Sequence, residues 1–278
     1  STETSTSGLR GEYDTAADDY TVAQDWHGYT PEMHERWRRL YARQSGLVET
    51  HACAAFREGL ARLDCAAGIP RFEDANAILS AATGWRLVGV PGFIPDAVFF
   101  DHLAHRRFPV TRWLREEHEL DYLVEPDIFH DFFGHVPMLL DPTIADFLEL
   151  YGQAGARAMA MDALDMLARI YWYTIEFGLI REPQGLRAYG AGILSSSGEL
   201  RHSVTSPRAR RIALDLVRCM RTRYKIDDYQ ATYFVIDSFE QLFDMTAPDF
   251  TPIYDTVRSL GELPADASIA SDSPITLG

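Results

Sequence analysis

Residues 124–137 read VEPDIFHDFFGHVP and set two histidines, His130 and His135, five positions apart among carboxylates and aromatic rings. In a regular α-helix five positions put two side chains roughly 140° apart around the axis, so these imidazoles would not share a face. Gly134 relaxes the backbone just before His135, and Pro137 ends the helical pattern just after it. The stretch therefore predicts a distorted helix or a helix end at which both imidazoles converge.

A mostly apolar run, IYWYTIEF at residues 170–177, carries a single carboxylate, Glu176. An ionised glutamate in such surroundings is costly unless it meets a cation. Two neutral imidazoles and one carboxylate, with neighbouring coordination positions left open, form the facial triad of non-haem Fe(II) oxygenases. We therefore predict that His130, His135 and Glu176 are both the metal ligands and the catalytic centre.

Two other interpretations of these three residues stay open at the level of the sequence. Zinc is the rival metal, since two histidines and a glutamate also bind zinc in hydrolases, although the chain lacks the HExxH pattern of the commonest zinc hydrolases. The non-enzymatic alternative is a helical binding module in which the histidines are hydrogen-bonded core residues.

Length, composition and charge limit the class of protein. The 278 residues are 46% hydrophobic, which predicts one globular domain with a sizeable core. A formal net charge of -15 at pH 7 disfavours nucleic acid and anionic membrane surfaces as partners, because the field of the protein repels both.

Cysteine usage and hydropathy predict a cytoplasmic protein. Cys53, Cys65 and Cys219 are odd in number and outside any CxxC spacing, so neither a disulfide framework nor a cysteine metal site is indicated. No stretch approaches 18 consecutive apolar residues, and the Ser/Thr-rich start lacks a signal pattern. We expect neither export nor a membrane span.

The periodicity of apolar residues predicts a mainly α fold with a few short β-strands and no βαβ alternation. We expect a flexible N-terminal arm over 1–25, a catalytic domain over 26–260 and a flexible C-terminal tail over 261–278. Gly46 is expected to break the first helix, and 185–198 is expected to be a loop that touches a ligand or, equally, a plain turn. The predicted helices cover 31–45, 52–67, 72–82, 96–105, 142–152, 154–176, 209–223 and 238–245, and the predicted strands cover 85–90, 108–111 and 232–236.

Four motifs, in this order, resemble the aromatic amino acid hydroxylases, and among them the single-domain bacterial enzymes that act on phenylalanine. They are EPDxxHDxxGHVP at 125–137, YWYTxEFGLI at 171–180, YGAGILSS at 189–196 and TYFVIDSF at 232–239. The resemblance spans about residues 29–252 and implies the single-domain catalytic fold of that family. It also implies the same ligands, His130, His135 and Glu176, for ferrous iron.

The resemblance implies a monooxygenase that uses Fe(2+), a tetrahydropterin and O2, and that transfers one oxygen atom to the pterin and the other to an aromatic ring. The expected reaction converts L-phenylalanine to L-tyrosine. Alternatives are another aromatic amino acid or ring position, with meta-tyrosine or hydroxytryptophan as product. Because the chain has no room for the regulatory domain and tetramerisation helix of the animal enzymes, we expect a monomer.

For the pterin, the resemblance implies stacking on Phe99 and binding by the loop that holds Gly92, Phe93 and Ile94. Asp131 and Tyr171 would lie beside the pterin. In the animal enzymes a glutamate takes the place of Asp131, and the shorter side chain leaves its contact open. Without the family, Phe99 could be an ordinary core residue.

For the substrate, the resemblance implies that Arg115 pairs with the carboxylate of the amino acid, with Asp127 in support. Trp172 would form a wall of the ring pocket. Gly192 and Ser195 would lie near the amino acid, and Ser195 could also orient a ligand histidine. Ile226 aligns with a site that is apolar in phenylalanine-specific members, which favours phenylalanine. Without the family, Arg115 could be a surface residue and Trp172 a core residue.

Overall fold

The computed structural model describes residues 10–277, in which helices dominate and the strands between them are few and short. This confirms the predicted mainly α fold with a few short β-strands. Polar caps start several helices: Thr30 accepts a hydrogen bond from the N–H of Met33, and Asp141 accepts two at the start of α5. The helices are α1 (Pro31–His51), α2 (Ala54–Leu63), α3 (Phe72–Ala82), α4 (Asp96–Ala104), α5 (Pro142–Ala160), α6 (Leu164–Tyr171), α7 (Ala191–Leu194), α8 (Ser197–Thr205), α9 (Leu216–Arg221), α10 (Phe239–Thr246) and α11 (Thr251–Leu260).

Two strands form a βαβ unit, which the sequence pattern did not predict. β1 (Arg86–Val90) pairs in parallel with β2 (Arg107–Thr111), and α4 connects them. A parallel pair cannot be joined by a tight turn, so a crossover of this kind is required. The prediction that nothing alternates as βαβ is therefore wrong. The unit matters for the site because the loop 91–95 leaves the end of β1.

The other four strands form a mixed sheet in the order β4, β3, β6, β5. β3 and β4 are an antiparallel hairpin, and β6 runs parallel to both β3 and β5. β6 is buried along its whole length, as expected for a strand with parallel neighbours on both sides. The four are β3 (Leu179–Glu182), β4 (Gly185–Ala188), β5 (Arg210–Ala213) and β6 (Thr232–Ile236).

The first helix continues through Gly46, so the predicted break there is wrong. The buried residues Trp37, Leu40 and Val48 form one stripe that extends on both sides of the glycine. Gly46 itself is exposed, and an exposed glycine inside a helix costs only about 1 kcal/mol relative to alanine. Packing of the stripe outweighs that cost.

Other boundaries also differ from the predictions. α5 runs through Gly152, because this glycine serves a close approach and not a helix end: a Cβ there would lie 2.4 Å from the backbone nitrogen of Ala104. The helix predicted over 154–176 is interrupted between α5 and α6. The predicted loop at 185–198 contains β4 and α7, and the helix predicted over 209–223 is β5 followed by the short α9.

The described parts of both chain ends lie against the domain. The N–H of Val22 donates to the carbonyl oxygen of Gly89 at 2.8 Å, and the carboxylate of Asp272 is paired with Arg210 and Arg218. The polar and charged composition of these segments predicted flexibility, but several of their charged side chains form ion pairs in the structure. Residues 10–25 and 261–277 therefore contact the rest of the domain, and the flexibility of the arm and the tail stays a prediction; residues 1–9 and 278 lie outside the described residues.

Among residues 10–277 every helix is too short or too polar to cross a lipid bilayer.

Candidate metal centre and aromatic pocket

Two π-helical segments carry the predicted ligands. Phe129–His135 is one, with His130 near its start and His135 at its end, and Trp172–Glu176 is the other. The i→i+5 hydrogen bonds of a π-helix widen each turn, which brings residues five apart to the same side. This is the distortion that the spacing of the histidines predicts. Such π segments are frequent at functional sites.

The three predicted ligands converge on one point. Nε2 of His135 lies 2.7 Å from Oε1 of Glu176, and Nε2 of His130 lies 3.3 Å from Oε2 of the same carboxylate. The centroids of the two imidazole rings are 5.1 Å apart. The segment that carries both histidines is held by the core: Phe129 stacks on Phe133 with ring centroids 4.8 Å apart.

Asp131 contributes a fourth potential ligand. One ligand atom from each of His130, Asp131 and His135 lies within 4.8 Å of the others. Oδ2 of Asp131, however, accepts a hydrogen bond from the backbone N–H of Thr111 at 2.8 Å. Because Glu176 lies between both histidine nitrogens and Asp131 is tied to β2, Glu176 is the better third ligand.

Ser195 sets the tautomer of His130. The Ser195 hydroxyl donates to the carbonyl oxygen of Ala191 at 2.7 Å, so its oxygen is left to accept from Nδ1–H of His130 at 2.9 Å. In the neutral imidazole this leaves the lone pair on Nε2, the nitrogen that faces Glu176, for a cation bound between the two. A histidine that binds a metal is normally oriented in this way by a partner on its other nitrogen.

The electrostatics of the cluster suit a cation. Burial opposes the charged form of His130, but the adjacent carboxylate of Glu176 outweighs burial and raises the pKa of His130 to about 9. Burial likewise opposes the charged form of Glu176, yet the two imidazoles hold the pKa of this carboxylate below its usual range. Burial raises the pKa of Asp131. Two imidazole nitrogens and one ionised carboxylate, of which His135 is buried and the other two are mostly buried, fit ferrous iron.

Arg115 is a buried residue, only 6% exposed, and not a surface arginine. Its Nε and Nη2 donate to the two carboxylate oxygens of Asp127 at 2.9 and 3.0 Å. Oδ1 of Asp127 also accepts from the backbone N–H of His130 at 2.9 Å. The arginine is therefore fixed relative to the first predicted iron ligand.

The predicted pterin residues Phe99 and Tyr171 adjoin the imidazoles. The ring of Tyr171 lies at 24° to that of His135, with centroids 6.4 Å apart, and Phe99 meets Tyr171 edge-on at 5.7 Å. Gly92, Phe93 and Ile94 form the loop after β1, in which Phe93 is 47% exposed and its carbonyl oxygen accepts from the hydroxyl of Tyr13.

Trp172 belongs to a second aromatic group, with Tyr224 and Phe177. Its indole stacks on the ring of Tyr224 at 4.3 Å and 12°, and it also lies against Phe177, at 4.7 Å. Gly192 faces the same aromatic group, since a Cβ there would lie 2.6 Å from the ring of Phe177. Ile226 is 74% exposed, so its side chain does not line a pocket in this structure.

Two residues that contact Trp172 were missed in the sequence. Tyr224 stacks on Trp172, and Gln230 accepts a hydrogen bond from Nε1 of Trp172 at 3.0 Å. The only feature of the sequence that indicates such a contact is Trp172 itself, because a half-buried indole N–H needs a hydrogen-bond acceptor. That rule does not say which residue supplies it, and Gln230 is 58 positions away along the chain.

A sizeable cavity lies away from these residues. It has a volume of about 550 Å³ and is bordered by Trp26, His34, Arg71 and Phe132, among others. None of His130, His135 and Glu176 borders it. Converging donor atoms, and not cavity size, therefore define the candidate centre.

Comparisons with known proteins show the family of the chain. The chain is 58% identical over 239 residues to the phenylalanine-4-hydroxylase of Chromobacterium violaceum, covering 86% of this chain and 80% of the relative. It is 52% identical to that of Ralstonia nicotianae, covering 98% of this chain and 86% of the relative. A crystal structure of the C. violaceum enzyme with bound iron and phenylalanine superimposes with a TM-score of 0.90 at 51% identity, covering 97% of each chain. Residues 9–250 match the family of biopterin-dependent aromatic amino acid hydroxylases, and the chain belongs to that family.

Proposed function

We propose that this chain is a phenylalanine 4-monooxygenase that converts L-phenylalanine to L-tyrosine with O2 and a tetrahydropterin at a ferrous centre. The observation that carries the proposal is the convergence of His130, His135 and Glu176, with nitrogen to oxygen distances of 2.7 and 3.3 Å. Membership of the pterin-dependent family and the names of the relatives, phenylalanine-4-hydroxylase, support the reaction and its substrate.

His130, His135 and Glu176 would hold the iron. Iron and pterin, when bound, supply the activation of O2, which amino acid side chains cannot perform. The chain supplies the geometry: Ser195 keeps the proton of His130 on Nδ1, so that Nε2 is free to bind. Zinc would fit the same donors, but the family and the aromatic group beside them support iron with a pterin.

Arg115 would bind the carboxylate of the amino acid. Its guanidinium has five N–H groups, of which two donate to Asp127 and one to the carbonyl oxygen of Leu120 within the described residues. One N–H is left on each terminal nitrogen, which is the pair that a carboxylate accepts in a bidentate contact. Asp127 holds the guanidinium in place, so little entropy is lost on binding.

Aromatic rings would hold the two flat ligands. Phe99 is half-buried and perpendicular to the ring of Tyr171, and the loop with Gly92, Phe93 and Ile94 lies close to it in the chain; its ring would stack on the pterin. Trp172 would form the wall beside the phenylalanine ring.

The proposal includes a cytoplasmic, monomeric enzyme with one catalytic unit. The three cysteines are buried and free of disulfides, which suits a reducing compartment. Light scattering of the full chain tests the monomer, and a dimer or tetramer mass would contradict it.

Product analysis tests the function. Metal-stripped protein is given Fe(II), a tetrahydropterin and O2 with phenylalanine, tyrosine or tryptophan in turn. We expect para-tyrosine from phenylalanine, and none when zinc replaces iron or the pterin is left out. A meta-tyrosine or hydroxytryptophan product would keep the metal centre and overturn the assigned reaction. Hydrolytic activity with zinc and without pterin would overturn the function itself.

A further inference from the structure

Gln230 lies where three elements meet beside the aromatic pocket. Its side-chain Oε1 accepts from Nε1–H of Trp172 at 3.0 Å, and its Nε2 donates to the carbonyl oxygen of Lys225 at 2.8 Å. Its backbone N–H donates to Oε2 of Glu199 at 3.0 Å. Gln230 is 4% exposed, so water does not compete well for these bonds.

The partners require an amide at this position. An indole N–H can only donate, and a backbone carbonyl can only accept, so one orientation of the Gln230 amide satisfies both. A glutamate could not donate to Lys225, and a lysine could not accept from Trp172.

The indole of Trp172 is held at its face and at its edge. Tyr224 covers the face at 4.3 Å, and Gln230 holds the polar edge. Tyr224, Lys225 and Gln230 all belong to the segment 222–231 between α9 and β6. The hydrogen bond from Gln230 to Lys225 holds the segment together, and Tyr224 and Gln230 contact Trp172 from it. Trp172 also begins the π-helical segment that ends at Glu176.

Glu199 anchors Gln230 from the opposite side. Its Oε2 accepts from the hydroxyl of Tyr233 at 2.6 Å as well as from Gln230. Glu199 lies in α8, four residues after Ser195, the partner of His130. One short stretch of chain therefore supports both the metal centre and the pocket wall.

We propose that Gln230 is a positioning residue for the aromatic substrate and acts through Trp172, whose indole it fixes at the edge. The inference rests on the proposed function, in which Trp172 borders the phenylalanine ring. None of the hydrogen bonds of Gln230 within residues 10–277 reaches an iron ligand, so its loss changes how phenylalanine is held and leaves iron binding intact. Attack at a single ring position requires a fixed ring, because small displacements of reacting groups lower rates strongly.

The test compares Gln230→Met, which keeps the length of the side chain and removes both hydrogen bonds, with Gln184→Met at an exposed turn as a matched control. Binding of L-phenylalanine to the iron-loaded protein is measured by calorimetry, together with KM, kcat and tyrosine formed per pterin oxidised. We expect Gln230→Met to weaken binding about three- to tenfold, the effect of one lost hydrogen bond, and to lower the tyrosine yield at unchanged iron content. The control should match the wild type.

A double-mutant cycle with Trp172→Phe, which removes the indole N–H, separates positioning from general packing. If Gln230 acts through the indole, the affinity of the double variant for phenylalanine equals that of whichever single variant has the lower affinity. Additive losses, or unchanged affinity and yield in Gln230→Met, would overturn the proposal. If Gln230→Met does not fold, Gln230→Asn, which is too short to reach the indole, is used with the same expectations.

The wild type distinguishes the two levels of the claim. If wild-type protein makes no tyrosine from phenylalanine, the proposed function fails and this inference fails with it. If the wild type makes tyrosine and Gln230→Met behaves identically, only the role of Gln230 is wrong.

Discussion

The carboxylate of Asp127 joins Arg115 to the backbone of His130, the first proposed iron ligand. It accepts from Nε and Nη2 of Arg115 at 2.9 and 3.0 Å, and from the backbone N–H of His130 at 2.9 Å. Asp127 is completely buried, and Arg115 holds its pKa below the usual range in spite of the burial that would raise it. The group proposed to bind the substrate and the group proposed to bind iron therefore share one rigid anchor.

Replacing Arg115 should separate its two roles. Arg115→Lys keeps a cation near Asp127 but loses the bidentate geometry, so we expect the KM for phenylalanine to rise roughly ten- to a hundredfold, from a loss of about 1.5–3 kcal/mol. Arg115→Ala should in addition lower the free energy of unfolding by about 3–5 kcal/mol, because it leaves a buried carboxylate unpaired. Steady-state kinetics and urea unfolding measure the two effects, with the exposed Arg208→Ala as control. A KM for Arg115→Lys within twofold of the wild type would remove Arg115 from the substrate site.

Removing the hydroxyl of Ser195 should weaken iron binding. Ser195→Ala deletes the acceptor for Nδ1–H of His130, and loss of such a partner typically lowers metal affinity about ten- to a hundredfold. A competitive Fe(II) titration with a chelator measures the affinity. The control is Ser80→Ala on the exposed side of α3, which should leave it unchanged. Equal affinities in the two variants would show that Ser195 does not orient the ligand.

The stability of the fold should depend on the ionisation of Glu199. Burial raises the pKa of this carboxyl to about 7, even though Gln230 and Tyr233 donate hydrogen bonds to it. The folded state then keeps a proton that the unfolded state loses near pH 4.5. The difference in pKa adds up to roughly 3 kcal/mol to the free energy of unfolding. This stabilisation is complete below pH 4.5 and is lost as the pH rises through about 7. Glu199→Gln keeps the accepting oxygen and cannot ionise, so its stability relative to the wild type should be greater at pH 8 than at pH 5. A difference that is the same at both pH values in urea unfolding would contradict this.

The C-terminal segment should contribute to stability through Asp272. Its carboxylate, with 4% of the side chain exposed, pairs with Nε of Arg218 at 2.8 Å and with Nη2 of Arg210 at 2.5 Å. Asp272→Asn leaves a buried Arg218 without its counter-charge and should lower the free energy of unfolding by about 3 kcal/mol. Asp266→Asn in the same segment has an exposed side chain and is the control. Should Asp272→Asn unfold at the same urea concentration as the wild type, the segment would not be part of the folded unit.

Much of the metal centre could be predicted from the sequence, because its signal is local and chemically rare. Two histidines five apart with glycine and proline beside the second require a distorted helix, and the π-helical segment Phe129–His135 is that distortion. A single carboxylate in an aromatic run marked Glu176 in the same way. These predictions depend on residue types within a few positions of each other.

The pocket could not be predicted in this way, because its contacts join distant parts of the chain. Gln230 and Tyr224 meet Trp172 only after the segment between α9 and β6 folds back on the π-helical segment. The burial of Arg115 follows from its pairing with Asp127 and not from its neighbours Glu116 and Glu117, which made it look exposed. Gly46 failed as a helix breaker because a buried stripe on both sides outweighs one exposed glycine.

Anomalous diffraction at the iron edge, from crystals of the chain loaded with Fe(II), tests the central claim most directly. The structure predicts one peak per chain, bonded to Nε2 of His130, to Nε2 of His135 and to the carboxylate of Glu176, and loss of that peak in Glu176→Gln. A peak bonded to Asp131 in place of Glu176, or located away from the two histidines, would contradict it.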